Sequence, residues 1–124
     1  MDVDYDKAIQ LIEASEKMMK RIGLNYKKLF VAPYWIYSWW SLKALRDKGY
    51  TVCLDRNHPI QTPKETKTYY YNWSLEEKEL PPKDLIKGHG HMYQGGHANA
   101  LEDCYANILK QIPADANFKF ISEC

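Results

Sequence analysis

Three histidines that could do chemistry lie close together in the sequence: His89, His91 and His97. On an extended strand His89 and His91 point to the same face, because side chains two residues apart share a side. His97 follows Gly95-Gly96, whose conformational freedom permits a turn back towards the other two. Three imidazoles around an open position are the ligand set of a catalytic zinc site. One interpretation of this stretch is therefore a metal-dependent hydrolase.

A second interpretation is an anion site at the same turn. The first backbone N–H groups of a helix lack internal partners and lie at its positive end, where they favour an anion. The turn amides between Gly95 and Asn99, together with His97, would hold a phosphate. No Lys-Ser/Thr pair of a P-loop follows the glycines, and the alternative remains that Asn99 simply caps the helix. The predicted ligand site consists of His89, His91, Tyr93, Gly95, Gly96, His97 and Asn99.

The third candidate is an aromatic strand within residues 67–74. Tyr69, Tyr71 and Trp73 fall on one face of this strand and Tyr70 on the other. Proteins that bind single-stranded nucleic acid stack bases on such rings. A helix–sheet–helix sandwich would instead cover both faces, and we favour that interpretation.

A helix over residues 99–112 must position the histidine turn. Its apolar residues recur at helical spacing on one stripe. Asn99 is suited to the N-cap position, and Pro113 ends the helix. The stripe consists of Leu101, Cys104, Tyr105, Ile108, Leu109 and Ile112.

The remaining elements predict an α+β fold in a single domain, residues 1–124. Helices are expected at 4–22 and at 34–48, with Trp35, Ile36, Trp39, Leu42 and Leu45 buried, and strands at 50–54, 67–74 and 89–94. Residues 29–31 are a candidate short extended piece, and residues 114–124 form either a further strand or a loose tail. The expected architecture is a small antiparallel sheet of three to four strands flanked by helices, in the order α-α-β-β-β-α, with its core between residues 34 and 112.

Charge and composition disfavour several classes of protein. The formal net charge of +1 provides no basic field for a phosphate backbone. The lysines that a double-stranded-RNA-binding domain carries after its glycine loop are replaced by His97-Ala98-Asn99. We therefore predict no nucleic-acid partner, and we also predict no cofactor.

Cysteine use and hydropathy predict a cytoplasmic protein. Cys53, Cys104 and Cys124 are odd in number and far apart, which is typical of a reducing compartment. No apolar run resembles a signal peptide or a membrane span, so no membrane partner is expected.

Two stretches resemble the phage ABA sandwich domain family. The first is W-x5-L-R-D-K-G-Y-x3-L from Trp39, and the second runs from Tyr93 to Leu109, with Gly96, Leu101, Cys104 and Ala106 at matching spacings. The resemblance covers about two-thirds of the chain. It implies a small antiparallel sheet flanked by helices, encoded by a phage or prophage, and it implies no activity and no functional residues.

Three hypotheses about function follow. The first is a non-enzymatic phage-type accessory protein that binds a nucleotide-like or other anionic small molecule, or that blocks a host defence protein. The second is the metal-dependent hydrolase. The third is a protein–protein interaction module that uses its aromatic residues and forms a homo-oligomer.

Overall fold

A computed structural model describes residues 3–74, 85–89, 100–119 and 123. The chain divides into two compact units, Met1–Tyr70 and Tyr71–Cys124, which we call the N-terminal and C-terminal units. The single domain expected from the sequence stays a prediction.

Helix α1 spans Tyr5–Arg21 in the N-terminal unit. The Asp4 side chain caps it by accepting a 2.8 Å hydrogen bond from the Lys7 N–H. Asp6 in the first turn and Lys20 and Arg21 in the last turn match the helix dipole. The predicted helix at 4–22 is confirmed.

Helix α2 spans Trp39–Asp47, several residues shorter than predicted. Ser38 and Ser41 form a reciprocal capping box that starts the helix. The preceding residues, Pro33–Trp35, form a 3-10 turn instead. The predicted start at residue 34 was therefore wrong, because the serine pair outcompetes Pro33 as the start signal. Of the apolar stripe predicted for this helix, Leu42 and Leu45 are buried, whereas Ile36 and Trp39 are exposed.

The sheet of the N-terminal unit is parallel, which corrects the predicted antiparallel arrangement. Its three strands are β1 (Leu29–Val31), β2 (Thr51–Leu54) and β3 (Lys67–Tyr70), in the order β1-β2-β3. Helix α2 forms the crossover from β1 to β2, and residues 55–66 return the chain to the start of β3. The physical reason is that each connection is long enough for a crossover and neither is a hairpin turn.

The core of this unit lies between the helices and one face of β2. Alternation along the strand places Tyr50, Val52 and Leu54 together, as predicted. They pack against Leu42 and Leu45 of α2, with Ile12 of α1 and Tyr37 at the margin. This packing fixes α1 and α2 over the sheet.

The C-terminal unit contains a second parallel pair, β4 (Trp73–Ser74) with β5 (Gly88–His89), and helix α3 (Ala100–Gln111). The Asn72 side chain accepts a 2.7 Å hydrogen bond from the Lys87 N–H and donates one of 2.8 Å to the Leu85 carbonyl. In α3, Cys104 is buried, but Tyr105 and Leu109 of the predicted stripe are exposed. Residues 114–119 contain no strand.

No helix in the described part of the chain combines the length and the apolar composition that a membrane crossing requires.

Candidate ligand-binding site

The predicted histidine and glycine site falls mostly outside the described residues. His89 ends β5, where its backbone pairs with Ser74. The other members, His91, Tyr93, Gly95, Gly96, His97 and Asn99, lie in the segment 90–99, which is not described. Both the anion site and the zinc site therefore stay predictions. Across residues 3–74, 85–89, 100–119 and 123, no three His, Cys, Asp or Glu side chains are grouped to hold a metal ion.

The N-terminal unit contains a cavity of about 450 Å³ beneath α1. This volume falls within the range of small-molecule sites. Helix α1 forms one wall, the segment from Tyr26 to β1 forms another, and α2 contributes the floor. The apolar lining residues are Val3, Ala8, Leu11, Ile12, Met19, Leu29, Phe30 and Leu45, and the polar ones are Ser15, Tyr26, Lys27, Ser41 and Tyr50.

The wall from α1 is a direct result of helical spacing. Ala8, Ile12, Ser15 and Met19 follow one another at three- or four-residue steps, and Leu11 lies three residues after Ala8, so all five face the same side. In the sequence, the predicted helix at 4–22 carries a modest apolar stripe of Ala8, Ile9, Ile12 and Met19, and all of these except Ile9 line the cavity. Leu11 widens the apolar face towards the mouth of the cavity, where it is half exposed.

The polar groups in the wall are mostly satisfied within the protein. Ser15 Oγ donates a 2.9 Å hydrogen bond to the Leu11 carbonyl, and Ser41 Oγ donates one of 2.8 Å to the Ser38 carbonyl. The Tyr50 hydroxyl donates to Glu16 at 3.1 Å. Since the protons of Ser15, Ser41 and Tyr50 are already donated to these acceptors, none of the three hydroxyls is paired with a base that would activate it as a nucleophile.

Glu16 lies at the centre of a charged cluster beside the cavity. Its carboxylate lies 3.3 Å from the Lys28 ammonium and 3.9 Å from that of Lys48. Burial acts to raise the pKa of Glu16, but the hydrogen bonds from Tyr50 and Lys28 and the charges of Lys28 and Lys48 outweigh it, so this pKa lies below its ordinary value. Glu16 is therefore ionised at neutral pH, and its carboxylate interacts with Tyr50, Lys28 and Lys48.

Tyr50 is the aromatic member of the same cluster. Its ring lies 5.5 Å from the Lys28 ammonium, a cation–π distance. Burial, together with the hydrogen bond to the Glu16 carboxylate, raises the pKa of Tyr50 to about 12. The hydroxyl therefore stays protonated and serves as a fixed donor to Glu16.

Lys27 differs from the other two lysines of this region. Lys28 donates a 2.7 Å hydrogen bond to the Lys48 carbonyl, and Lys48 pairs with Glu13 at 3.0 Å. Lys27 lines the cavity and is exposed, and its ammonium has no hydrogen bond or ion pair with any part of the chain that the structure describes. Lys27 is therefore an exposed residue of the cavity lining whose positive charge has no partner among the described residues.

A second polar cluster lies where β2 ends. The Asp55 carboxylate accepts a 2.9 Å hydrogen bond from the Asn57 N–H and contacts His58 Nδ1 at 2.6 Å. The Asp55 side chain is 10% exposed and the His58 side chain 82% exposed. The buried carboxylate thus holds an imidazole whose Nε2 faces outward.

The loop after β1 adds strained backbone to the same end of the sheet. Tyr34 and Trp35 have φ values of 55° and 60°, which side chains with a Cβ rarely adopt. The Tyr37 hydroxyl holds the loop by accepting a 3.0 Å hydrogen bond from the Ala32 N–H and by donating to the Cys53 carbonyl. Burial raises the pKa of Tyr37 and keeps this hydroxyl protonated.

Comparison with known proteins adds no relative. No protein family, curated protein or solved structure matches this chain. The resemblance to the phage ABA sandwich domain family therefore stays a prediction.

Sequence reasoning missed both the cavity and the Asp55–His58 pair. No helix or strand was predicted at Tyr26, at Lys27 or at residues 55–59. The signal available for the pair was an acid three residues before a histidine, directly after a buried strand. The signal for the cavity was the apolar stripe of α1.

Proposed function

We propose that this protein acts by binding a small molecule with an apolar body in the cavity of the N-terminal unit. The observation that carries the proposal is a cavity of about 450 Å³ with mainly aliphatic walls, in which the Ser15, Ser41 and Tyr50 hydroxyls are already hydrogen-bonded. Removing apolar surface from water is worth about 25 cal/mol per Å², so a molecule that fills such a space gains most of its affinity without directed contacts.

The biological role predicted from the sequence belongs to the same proposal. A phage-type accessory protein that sequesters a ligand or blocks a host defence protein would act without catalysis, as a cavity of this kind does. The phage origin rests on the sequence resemblance alone, and the anion site at Gly95–Asn99 is a separate prediction.

Titration of isotope-labelled protein with decanol, followed by amide NMR, tests the binding proposal. Decanol is neutral and has an apolar chain suited to the cavity. We expect a saturable response centred on the amides of Ala8, Leu29 and Tyr50, which line the cavity. A linear response spread over the whole surface would contradict the proposal.

Two matched variants of α1 make the test specific. Leu11→Asp places a charge at the mouth of the cavity, whereas Met18→Asp places the same charge on an exposed residue of α1 that does not line it. We expect Leu11→Asp to abolish saturable decanol binding and Met18→Asp to retain it. Equal losses in both variants would show that decanol binds outside the cavity.

A further inference from the structure

We propose that the natural ligand of this cavity is a monoanionic amphiphile, such as a medium-length alkyl carboxylate, whose charged head contacts Lys27. This inference rests on the proposed function, since it requires the cavity to be a binding site. Beyond the proposed function, it specifies the charge of the ligand and the orientation of the ligand in the cavity.

The first step is the balance of charge beside the cavity. Two acids, Glu13 and Glu16, are offset by Lys28 and Lys48, with which they form ion pairs between 3.0 and 3.9 Å long. This group of four is neutral by itself. Among the described residues that line the cavity, only Lys27 is charged, and its ammonium has no ion-pair partner in the described chain.

The second step is that the Glu16 carboxylate is not available to bind a ligand. Its side chain is only 12% exposed, and its oxygens already accept from Tyr50 and Lys28. A cationic head group would meet the Lys27 ammonium and find no carboxylate to pair with. An anionic head group meets an ammonium that has no competing partner in the described chain.

The third step is the direction of the apolar body. Among the lining residues Lys27 is exposed, whereas Ala8 and Leu45 are buried. A ligand with its anion at Lys27 would therefore place its alkyl chain between α1 and β1, against Leu11, Ile12 and Leu29. The flexible stem of Lys27 lets the ammonium reach the head group while it stays in water.

The experiment compares decanoate with decanol in the wild type and in two lysine variants, Lys27→Ala and Lys20→Ala. Lys20 is an exposed cation near the end of α1 that does not line the cavity, so it controls for net charge. An exposed ion pair changes affinity by up to about fivefold. We expect Lys27→Ala to weaken decanoate binding about threefold to fivefold and to leave decanol binding unchanged, and Lys20→Ala to change neither.

The charge-reversed variant Lys27→Glu extends the test. It should weaken decanoate further and make the cavity prefer decyltrimethylammonium. Salt should weaken decanoate binding to the wild type and leave decanol binding unaffected, because screening acts on the ion pair alone.

The outcomes separate this inference from the proposed function. If decanol and decanoate bind equally, or if Lys27→Ala and Lys20→Ala behave alike, the anionic head group is excluded while the binding cavity stands. If neither probe binds, both proposals are overturned. Selective loss of decanoate binding in Lys27→Ala supports both.

Discussion

The Tyr50 hydroxyl donates a hydrogen bond of 3.1 Å to the carboxylate of Glu16, which ties the residue before β2 to the middle of α1. The contact joins two segments far apart in the sequence and lies beside the proposed cavity. Because the acceptor is a charged carboxylate, its strength depends on pH, and this dependence can be measured.

The first prediction concerns acid stability. The pKa of Glu16 in the folded protein lies below its ordinary value of 4.5. Its stabilising contribution is therefore present above pH 4.5 and is lost as the pH falls through the lower, folded-state pKa. Chemical denaturation of wild type between about pH 5 and pH 3 should show a steeper fall in the free energy of unfolding than Glu16→Gln does.

Tyr50→Phe provides the matched control for that prediction. It removes one hydrogen bond but leaves Lys28 and Lys48 next to the carboxylate. Its acid slope should lie between those of wild type and Glu16→Gln. Identical slopes for all three proteins would mean that the cluster does not stabilise the ionised carboxylate.

The second prediction concerns backbone strain at Tyr34. This exposed residue has a φ of 55°, and a left-handed conformation costs a residue with a Cβ about 1–2 kcal/mol. Tyr34→Gly removes this conformational cost from the folded state. It also increases the entropy of the unfolded chain, which lowers stability by a smaller amount. We expect thermal and urea unfolding to report a gain of up to about 1 kcal/mol. A clear loss would mean that the Tyr34 ring forms a stabilising contact.

The third prediction concerns the tautomer of His58. A carboxylate can only accept, so the 2.6 Å contact with Asp55 requires the hydrogen on Nδ1. Nitrogen NMR at a pH where the ring is neutral should find the Nδ1–H form enriched over that of a free histidine. Asp55→Ala should return the ring to its ordinary tautomer mixture. An unchanged mixture would show that the two groups are not hydrogen-bonded in solution.

The fourth prediction contrasts two leucines of the N-terminal unit. Leu42 is 2% exposed within the core, whereas Leu11 is half exposed at the mouth of the cavity. Leu42→Ala should lower the free energy of unfolding by about 2–5 kcal/mol. Leu11→Ala should cost less than about 1 kcal/mol, because little closely packed surface is lost. Similar costs in urea unfolding would mean that the space beside Leu11 is packed in solution.

The helices were the part of the fold that the sequence predicted best. Asp4 and the charges of the first and last turns define α1 locally, so its bounds were predicted closely. The start of α2 was missed because Pro33 and Ser38 are both good start signals, and only the reciprocal bonds between Ser38 and Ser41 decide between them.

Strand direction was missed for a different reason. Alternating residues occur in both parallel and antiparallel strands, so alternation leaves the pairing open. In the structure Val52, Cys53 and Leu54 are all buried, so β2 is covered on both faces. Cys53 pairs with Val31 on one side and with Tyr69 on the other, and both partners are distant in the sequence. Local patterns carry no information about that choice.

The candidate site could be predicted only in part. The apolar face of α1 was visible as a periodic stripe. The cavity itself also needs Lys27 and Phe30 from the segment before and within β1, and Leu45 from α2, which come together with α1 only in the folded chain. The predicted anion turn at Gly95–Asn99 lies outside the described residues and still awaits a test.

The parallel order of β1, β2 and β3 has a consequence for synthesis on the ribosome. Val31 pairs with Cys53, so β1 emerges long before its partner exists. At about 5–20 residues per second, the delay while residues 32–50 are made is about one to four seconds. Throughout that interval the backbone of β1 has no strand partner, which makes this period a window for chaperone capture or misassembly.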